Sequence, residues 1–282
     1  MYKPGGTIAT ALGRIQQTNY VLPAIQREFV WKPEQIGRLF DSLMQGYPFG
    51  TFLFWKVEPA TSGKFKFCDF VLNYHQRDAA HCPELPALHN QAITAVLDGQ
   101  QRLTALNIGL RGSMAIKQPN KWWNNPDAFP KRTLRLNLLA SLEPDEDGVV
   151  YDFCFLDDAQ AMRTEDTLWF KVPDILGMKD GPAMLNWLVA QHLIGDDLSR
   201  AYAMLDRLHR VIHTEPVIYY YEEESSGLRA GPQHFYSPEL RWHRTFLFRS
   251  IAQHRGCTVE ASRCACGNSQ ARRRTQPHRD RF

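Results

Sequence analysis

Polar residues interrupt an apolar pattern in the stretch VLDGQQRLTAL, residues 96–106. The apolar run ITAV before them predicts a strand, and the leucines after them recur at helical spacing. Where a strand hands over to a helix, the first backbone N–H groups of the helix lack partners within the helix and attract an anion. The stretch therefore allows two interpretations, a well-capped helix and an anion-binding site.

The capping interpretation accounts for two of the polar residues. Asp98 has the side chain of an N-cap and Gln101 that of its capping-box partner, while the leucines that follow face the core. Gln100 and Arg102 are left without a role. An arginine in the first helical turn opposes the helix dipole unless an anion lies there. A phosphate would supply that anion, because a guanidinium forks onto two of its oxygens.

A second Gln–Arg pair, Gln26 and Arg27, lies in LPAIQREFVW, just before Trp31 and a helix predicted to begin at Pro33. Taken alone, this pair is typical of a surface loop. Taken together, the two pairs predict two walls of one polar cleft, with Arg27 and Arg102 on the same face of the domain.

Hydrophobic periodicity along the rest of the chain predicts an α+β fold. The predicted helices cover 33–45, 100–110, 182–193 and 196–214, the last capped by Asp196 or Asp197. The predicted strands cover 50–58, 93–97, 132–139, 149–156 and 215–224, with a further strand near 64–72 inside an irregular insertion at 59–91.

The composition is that of a globular protein, with 44% hydrophobic and 22% charged residues among 282. There is no apolar run of 18 residues and no apolar segment after the first methionine, so we expect neither a membrane span nor a secretory signal. Six cysteines without regular spacing indicate reduced thiols and a cytoplasmic protein.

Three motifs occur in order between residues 22 and 102: LPAIQREFVW, DSLMQGYPFG and DGQQR. In this respect the chain resembles the GmrSD restriction-endonuclease N-terminal domain family, also called DUF262. The resemblance covers about residues 7–224, which we expect to form one domain that is incomplete on its C-terminal side.

The resemblance implies a ParB/sulfiredoxin-like core with additional helices, in which a D-G-x-x-R turn at a helix start holds phosphate. The implied nucleotide-binding residues are Asp98, Gly99, Gln100, Gln101 and Arg102, with Gln26 and Arg27 opposite them. If the nucleotide is hydrolysed, the implied catalytic residues are Asp98, Gln100, Gln101 and Arg102.

Three further residues are implied in supporting positions. Asp41 and Ser42 belong to the second motif, where packing is the simpler role for Ser42. Trp31 either stacks on a base or packs in the core. Mg²⁺ is compatible with phosphoryl chemistry, with Asp98 or Asp41 as ligands, although no residue pattern predicts a dedicated metal site.

The function implied is that of a nucleotide-binding sensor domain of a modification-dependent, anti-phage restriction system, with GTP or UTP as the nucleotide. An active member would be an NTPase associated with a type IV restriction endonuclease. Because the chain before the tail has no HNH, P-loop or D…ExK pattern, cleavage of modified DNA would belong to an absent domain or partner. The alternatives are an adaptor that binds DNA phosphates without turnover and a non-functional remnant.

The tail, residues 226–282, differs in composition from the rest. It has 11 Arg, no Lys and 3 acidic residues, a formal charge of +8, whereas the remainder has 22 basic and 27 acidic residues, or −5. Such a basic tail is typical of nucleic-acid contact.

A shifted codon frame explains the tail better. Related domains continue with a motif resembling FIRxNxGGxxLxxxDLLLS. With permitted codons, QHFYSPELRWH read one nucleotide later encodes NIFIRLNSGG, and two later segments yield further family-like sequence in the same frame. We therefore predict a frame change near Ser225 or Ser226 and a disordered tail, in which Cys264 and Cys266 are not zinc ligands.

Overall fold

Strands and helices are interspersed along the chain in the computed structural model, which describes residues 2–24, 28–88 and 91–223. The strands are β1 (Tyr2–Gly6), β2 (Tyr20–Pro23), β3 (Thr51–Val57), β4 (Phe67–Cys68), β5 (Asn73–His75), β6 (Ile93–Asp98), β7 (Ser113–Ala115), β8 (Lys131–Asn137), β9 (Phe153–Leu156), β10 (Trp169–Lys171) and β11 (Ile218–Glu223). The helices are α1 (Ile8–Gln16), α2 (Pro33–Met44), α3 (Pro59–Ser62), α4 (Gln100–Arg111), α5 (Gly181–Ala190) and α6 (Gly195–His213), with short 3₁₀ turns at Pro126–Ala128 and Val172–Gly177. The predicted α+β class is confirmed, and the ParB/sulfiredoxin-like core stays a prediction.

Two sheets carry these strands. The first has the strand order β1-β11-β3-β6-β2-β4, and the second β10-β8-β7-β5, with β9 also paired to β8. Within the first sheet β6 runs antiparallel to β3 and parallel to β2. The register of its pairing with β3 shifts between Leu53, which lies opposite Asp98, and Phe54, which lies opposite Val96. The irregularity therefore lies at the end of β6 that leads into α4.

Helix α4 runs through the main core. The eight consecutive residues from Leu103 to Leu110 are all buried, including the three leucines predicted to face inward. A helix that is buried on every side is a core helix and not a surface one. The core around it takes side chains from both sheets and from α1, α2, α5 and α6.

Two glycines let α2 pack closely against its neighbours. A Cβ at Gly109 of α4 would lie 2.7 Å from the Phe40 ring of α2, so a larger residue would push the two helices apart. A Cβ at Gly37 of α2 would lie 2.8 Å from the Phe153 carbonyl oxygen of β9. These contacts fix α2 between α4 and β9.

Several predicted boundaries differ from the structure by a few residues, and the largest corrections are to β9 and β4. Strand β9 begins at Phe153 and not at 149, because the N–H groups of Val150 and Tyr151 donate to the Asp41 carboxylate instead of a neighbouring strand. The predicted strand near 64–72 shortens to β4 within a largely irregular segment.

The predicted cap of α6 is also wrong. The N-cap of α6 is Ile194, and Asp196 and Asp197 lie in the first turn, where they complement the helix dipole instead of capping it.

The N-terminal elements β1, α1 and β2 are not among the predicted helices and strands. The local signals for α1 are nevertheless present. Thr7 caps the helix by accepting a hydrogen bond from the Thr10 N–H (3.2 Å), and Ile8, Leu12 and Ile15 bury one face.

Two predictions remain, one on membrane-spanning helices and one on the tail. No helix in the part of the chain that the structure describes is long and apolar enough to cross a membrane. The tail predictions, including the frame change, the disorder and the cysteines, fall at 226–282, outside the described residues.

Candidate functional site

A left-handed glycine joins β6 to α4. Gly99 is the N-cap of α4 with φ +88°, and a Cβ at this position would lie 2.2 Å from a ring carbon of Phe52. Only glycine combines that backbone conformation with that close approach. The predicted capping box is therefore wrong, because the N-cap is Gly99 and not Asp98, and the Gln101 side chain is engaged elsewhere.

Gln101 fastens the first motif to α4. Its Nε2 donates to the Glu28 carbonyl oxygen at 2.8 Å, and its Oε1 accepts from the Val30 N–H at 3.1 Å. The side-chain amide of Gln101 thus donates one hydrogen bond to this backbone segment and accepts one from it, which fixes the segment beside α4. The predicted partners Gln26 and Arg27 lie outside the described residues, so their cleft with Arg102 stays a prediction.

Arg102 fastens the second motif to α4. Its Nη1 donates to the Phe49 carbonyl oxygen (2.5 Å) and its Nη2 to the Thr51 carbonyl oxygen (2.7 Å). The guanidinium also lies over the Phe52 ring, 4.6 Å from its centroid, a cation–π contact. Burial lowers the pKa of Arg102, and the nearby Asp98 carboxylate opposes that shift.

Gly50 makes room for the arginine. It adopts φ +84°, and a Cβ there would lie 2.3 Å from Arg102 Nη1. The last glycine of DSLMQGYPFG and the arginine of DGQQR are therefore parts of one contact. Residues 49–51 were not predicted to belong to the site, although a glycine just before a strand is a signal that another group approaches closely there.

The N-terminus of α4 differs from those of the other long helices. Helix α1 is capped by Thr7, α2 by the Gln35 side chain, and α5 by Asp180, while α6 has two aspartates in its first turn. Helix α4 has neither an acidic residue in its first turn nor a side-chain cap from Gly99. The first turn of α4 thus contains no negative side chain, and the acidic residue next to it in sequence is Asp98, whose carboxylate lies near Arg102.

Gln100, in that same first turn, has an unused polar atom. Its Oε1 is buried and has no hydrogen-bond partner among the described residues. A buried acceptor without a partner costs free energy, so such an atom is often explained by a bound molecule.

Asp41, the first residue of the second motif, is bonded within the domain. It is 4% exposed, and its Oδ1 accepts from the N–H groups of Val150 (3.0 Å) and Tyr151 (2.9 Å). Its Oδ2 accepts from Gln45 Nε2 at 2.7 Å. Oδ1 therefore joins α2 to the turn at 148–151, and Gln45 Nε2 supports the same link because it also donates to the Gly148 carbonyl oxygen at 3.1 Å.

The other predicted supporting residues are partly buried. Trp31 packs against the main core, which is the packing alternative for this residue, and Ser42 accepts a hydrogen bond from the Tyr47 N–H through its backbone carbonyl (2.9 Å). Among the described residues, no group of three or more His, Cys, Asp or Glu could hold a metal ion.

These contacts define a mixed α+β domain built around a polar strand-to-helix junction, at which segments of all three motifs meet. Residues 8–173 match the profile of the GmrSD restriction endonuclease, N-terminal domain. The match covers more than half of the chain, which therefore belongs to this family and is a restriction-system domain. No curated protein matches the chain.

Proposed function

We propose that this domain binds a nucleoside triphosphate at the N-terminus of α4 and acts as the sensor domain of a modification-dependent restriction system. GTP and UTP are the candidate nucleotides. Recognition or cleavage of modified DNA is completed by a nuclease domain or partner outside the described residues.

The observation that carries this proposal is the buried Gln100 Oε1, which has no partner among the described residues and lies in a first helical turn without acidic residues, at the meeting point of the three motifs. The first intrahelical bond runs from the Leu103 N–H to the Gly99 carbonyl, at 3.1 Å. The N–H groups before Leu103 are therefore free of intrahelical partners. A phosphate group matches this arrangement, because it offers acceptor oxygens and negative charge at the positive end of the dipole.

Gln101 and Arg102 act in this proposal mainly as positioning residues. They hold the 28–30 and 49–51 segments around the helix end through backbone hydrogen bonds. Arg102 uses two of its five N–H donors for this purpose, and its positive charge still favours an anion nearby. Gln26 and Arg27 directly precede the anchored Glu28 in sequence, and we assign the direct phosphate contacts from the first motif to them.

Gln100 and Asp98 are assigned to the reactive part of the nucleotide. The unpartnered Gln100 Oε1 is suited to accept a hydrogen bond from a sugar hydroxyl, a base N–H or an attacking water. If the nucleotide is hydrolysed, Asp98 and Gln100 orient the attacking water. Mg²⁺, if bound, would be held by Asp98 and would supply positive charge that offsets the charge of the phosphates.

Titration calorimetry of the full chain with GTP and UTP, with and without Mg²⁺, tests the proposal. Arg102→Ala should abolish measurable affinity, with a loss of roughly 2–5 kcal/mol. Arg102→Lys should restore little, because a lysine cannot fork onto two carbonyl oxygens. Equal nucleotide binding by the wild-type protein and Arg102→Ala would contradict the proposal.

Because Arg102 also holds the fold together, a second variant separates binding from stability. Gln100→Glu places a carboxylate in the first turn of α4, which stabilises the helix but repels phosphate. We expect at least about a tenfold loss of affinity with no fall in the melting temperature. Gln16→Glu adds the same charge at the end of α1 and should leave affinity unchanged. If a short DNA duplex, and no nucleotide, binds in a Gln100-dependent manner, the site is a DNA-phosphate contact without turnover.

A further inference from the structure

Two adjacent tryptophans project from the loop between β7 and β8. Trp122 is 85% exposed and Trp123 is 46% exposed. Single exposed hydrophobic residues are ordinary on protein surfaces. Two neighbouring exposed indoles on one loop are not, since tryptophan is a residue that proteins bury or use in binding.

The loop is ordered by its own contacts. The Gln118 N–H donates to the Ala128 carbonyl across its base (2.7 Å), and the Asn125 N–H donates to the Trp122 carbonyl in a turn (3.1 Å). The Trp123 ring meets the Phe129 ring edge-on, with centroids 5.4 Å apart. Arg77 Nη1 donates to the Trp123 carbonyl oxygen at 3.1 Å. Trp122 is thus held outward at the tip of a fixed turn.

Positive charge surrounds the tryptophans. Residues 117–132 contain four basic residues and one acidic residue, a net charge of +3. The four are Lys117, Lys121, Lys131 and Arg132. None of them forms an ion pair with a described residue. This contrasts with the net charge of −5 for the whole chain before Ser226.

We infer that the loop at 117–132 binds single-stranded or locally opened DNA, with Trp122 stacking on an unpaired base and the basic residues contacting phosphates. Aromatic rings and basic groups side by side are the means by which proteins bind unpaired bases. Successive base pairs in a duplex stack and cover one another's faces, so the exposed ring favours an opened strand. A protein partner fits less well, because lysine is depleted in protein–protein interfaces.

This surface is separate from the proposed nucleotide site. The loop follows the C-terminal end of α4 through β7, whereas the nucleotide site lies at the N-terminal end. A helix of 12 residues is about 18 Å long. An assay without nucleotide therefore tests the loop by itself, whatever the outcome for the nucleotide.

Fluorescence anisotropy of the full chain with a labelled oligo-dT strand, and with a duplex of equal length, tests the inference. The wild-type protein should bind the single strand more tightly than the duplex. Trp122→Ala should weaken binding of the single strand by about 5- to 150-fold, and Trp122→Phe should keep most of the affinity. Changing Lys117 and Lys121 to Gln should reduce the salt dependence of binding.

Ile194→Ala is the matched control, since Ile194 is 82% exposed and far from this loop in sequence, and it should leave affinity unchanged. Equal affinity of the wild-type protein and Trp122→Ala for the single strand would overturn the inference. The inference would also be overturned if the wild-type protein bound neither oligonucleotide and Trp122→Ala changed the sedimentation coefficient. The indoles would then form a protein–protein contact.

Discussion

Arg102 and Asp41 are both charged motif residues, and both bond to backbone groups far away in sequence. Asp41 accepts three hydrogen bonds through its two oxygens and is almost fully buried. Arg102 donates two to backbone carbonyls, in a helical turn that contains no acidic residue. Both carboxylate oxygens of Asp41 are hydrogen-bonded within the domain. Beside Arg102, in contrast, the Gln100 Oε1 atom of the same turn has no partner among the described residues.

The difference shows how a polar motif residue should be interpreted. A charge whose hydrogen bonds are all made within the protein serves the architecture, because a buried charge must be paired to be tolerated. A ligand is expected where polar groups are gathered and some stay without partners. By this criterion Asp41 supports the fold, and the junction around Gly99 is the candidate site.

Removal of the Asp41 carboxylate should have the largest effect on stability. Asp41→Ala leaves the N–H groups of Val150 and Tyr151 and the Gln45 amide without their acceptor, at about 1–3 kcal/mol for each buried group. We expect urea denaturation to show about 3 kcal/mol less free energy of unfolding. Nucleotide affinity of the folded protein should not change.

Asp147→Ala is the control for Asp41→Ala. Asp147 pairs with Arg38 on the surface, where its side chain is 54% exposed, and its loss should cost less than about 0.5 kcal/mol. A variant at Asp41 that keeps its stability but loses nucleotide affinity would reverse the comparison and place Asp41 in the binding site.

Gly50→Ala should affect both stability and binding. The new Cβ would need a left-handed backbone and would collide with the Arg102 guanidinium. We expect a loss of about 2 kcal/mol in the free energy of unfolding together with weaker nucleotide binding. Gly148→Ala is the matched control, since Gly148 has φ +77° with nothing within 4 Å of its Cβ position. If both variants lose the same stability, the Arg102 guanidinium can move away from the new Cβ, and its close approach to Gly50 does not stabilise the fold.

Gln101→Ala should have a smaller effect, about 1 kcal/mol, because its two hydrogen bonds lie near solvent. The consequence should be local. Hydrogen exchange at residues 28–31 should become faster while exchange within α4 stays the same. Gln101→Glu keeps the acceptor for the Val30 N–H but loses the donor to the Glu28 carbonyl oxygen. Its free energy of unfolding should therefore lie between those of the wild-type protein and Gln101→Ala. Unchanged exchange at 28–31 would show that other contacts hold the first motif.

Asp152 offers the smallest test, which depends on pH. It lies next to the turn held by Asp41, and burial raises its pKa, although a hydrogen bond from Asn137 Nδ2 (3.2 Å) opposes this. Since the folded pKa is above the unfolded one, the folded state binds the proton more readily. Ionised Asp152 therefore reduces stability at neutral pH, and the reduction disappears as pH falls through the folded pKa toward about 3.9.

Asp152→Asn should accordingly be more stable than the wild-type protein at pH 7, and the gain should shrink on acidification toward pH 4. Thermal unfolding across this range measures it, with Asp166→Asn, an exposed aspartate, as the control. A gain that persists at pH 4 would have a cause other than the charge.

Much of the local structure around the site could be predicted from the sequence. The strand predicted at 93–97 is confirmed as β6, and the helix predicted at 100–110 as α4. Helix α2 begins at Pro33 as predicted. These features depend on the spacing of apolar residues and on the backbone preferences of glycine and proline, which are written in neighbouring residues.

The partners of the polar residues were decided only by the tertiary structure. Arg102 reaches carbonyl oxygens 53 and 51 residues earlier in the chain, and Asp41 reaches N–H groups 109 and 110 residues later. Every residue type has a backbone carbonyl, and every residue except proline has an N–H, so such partners leave no mark in the sequence. The local pattern could therefore place both charges near the ends of their helices. Only the packing of distant segments determined that Asp41 is fully hydrogen-bonded within the domain, whereas Arg102 lies beside a polar atom without a partner among the described residues.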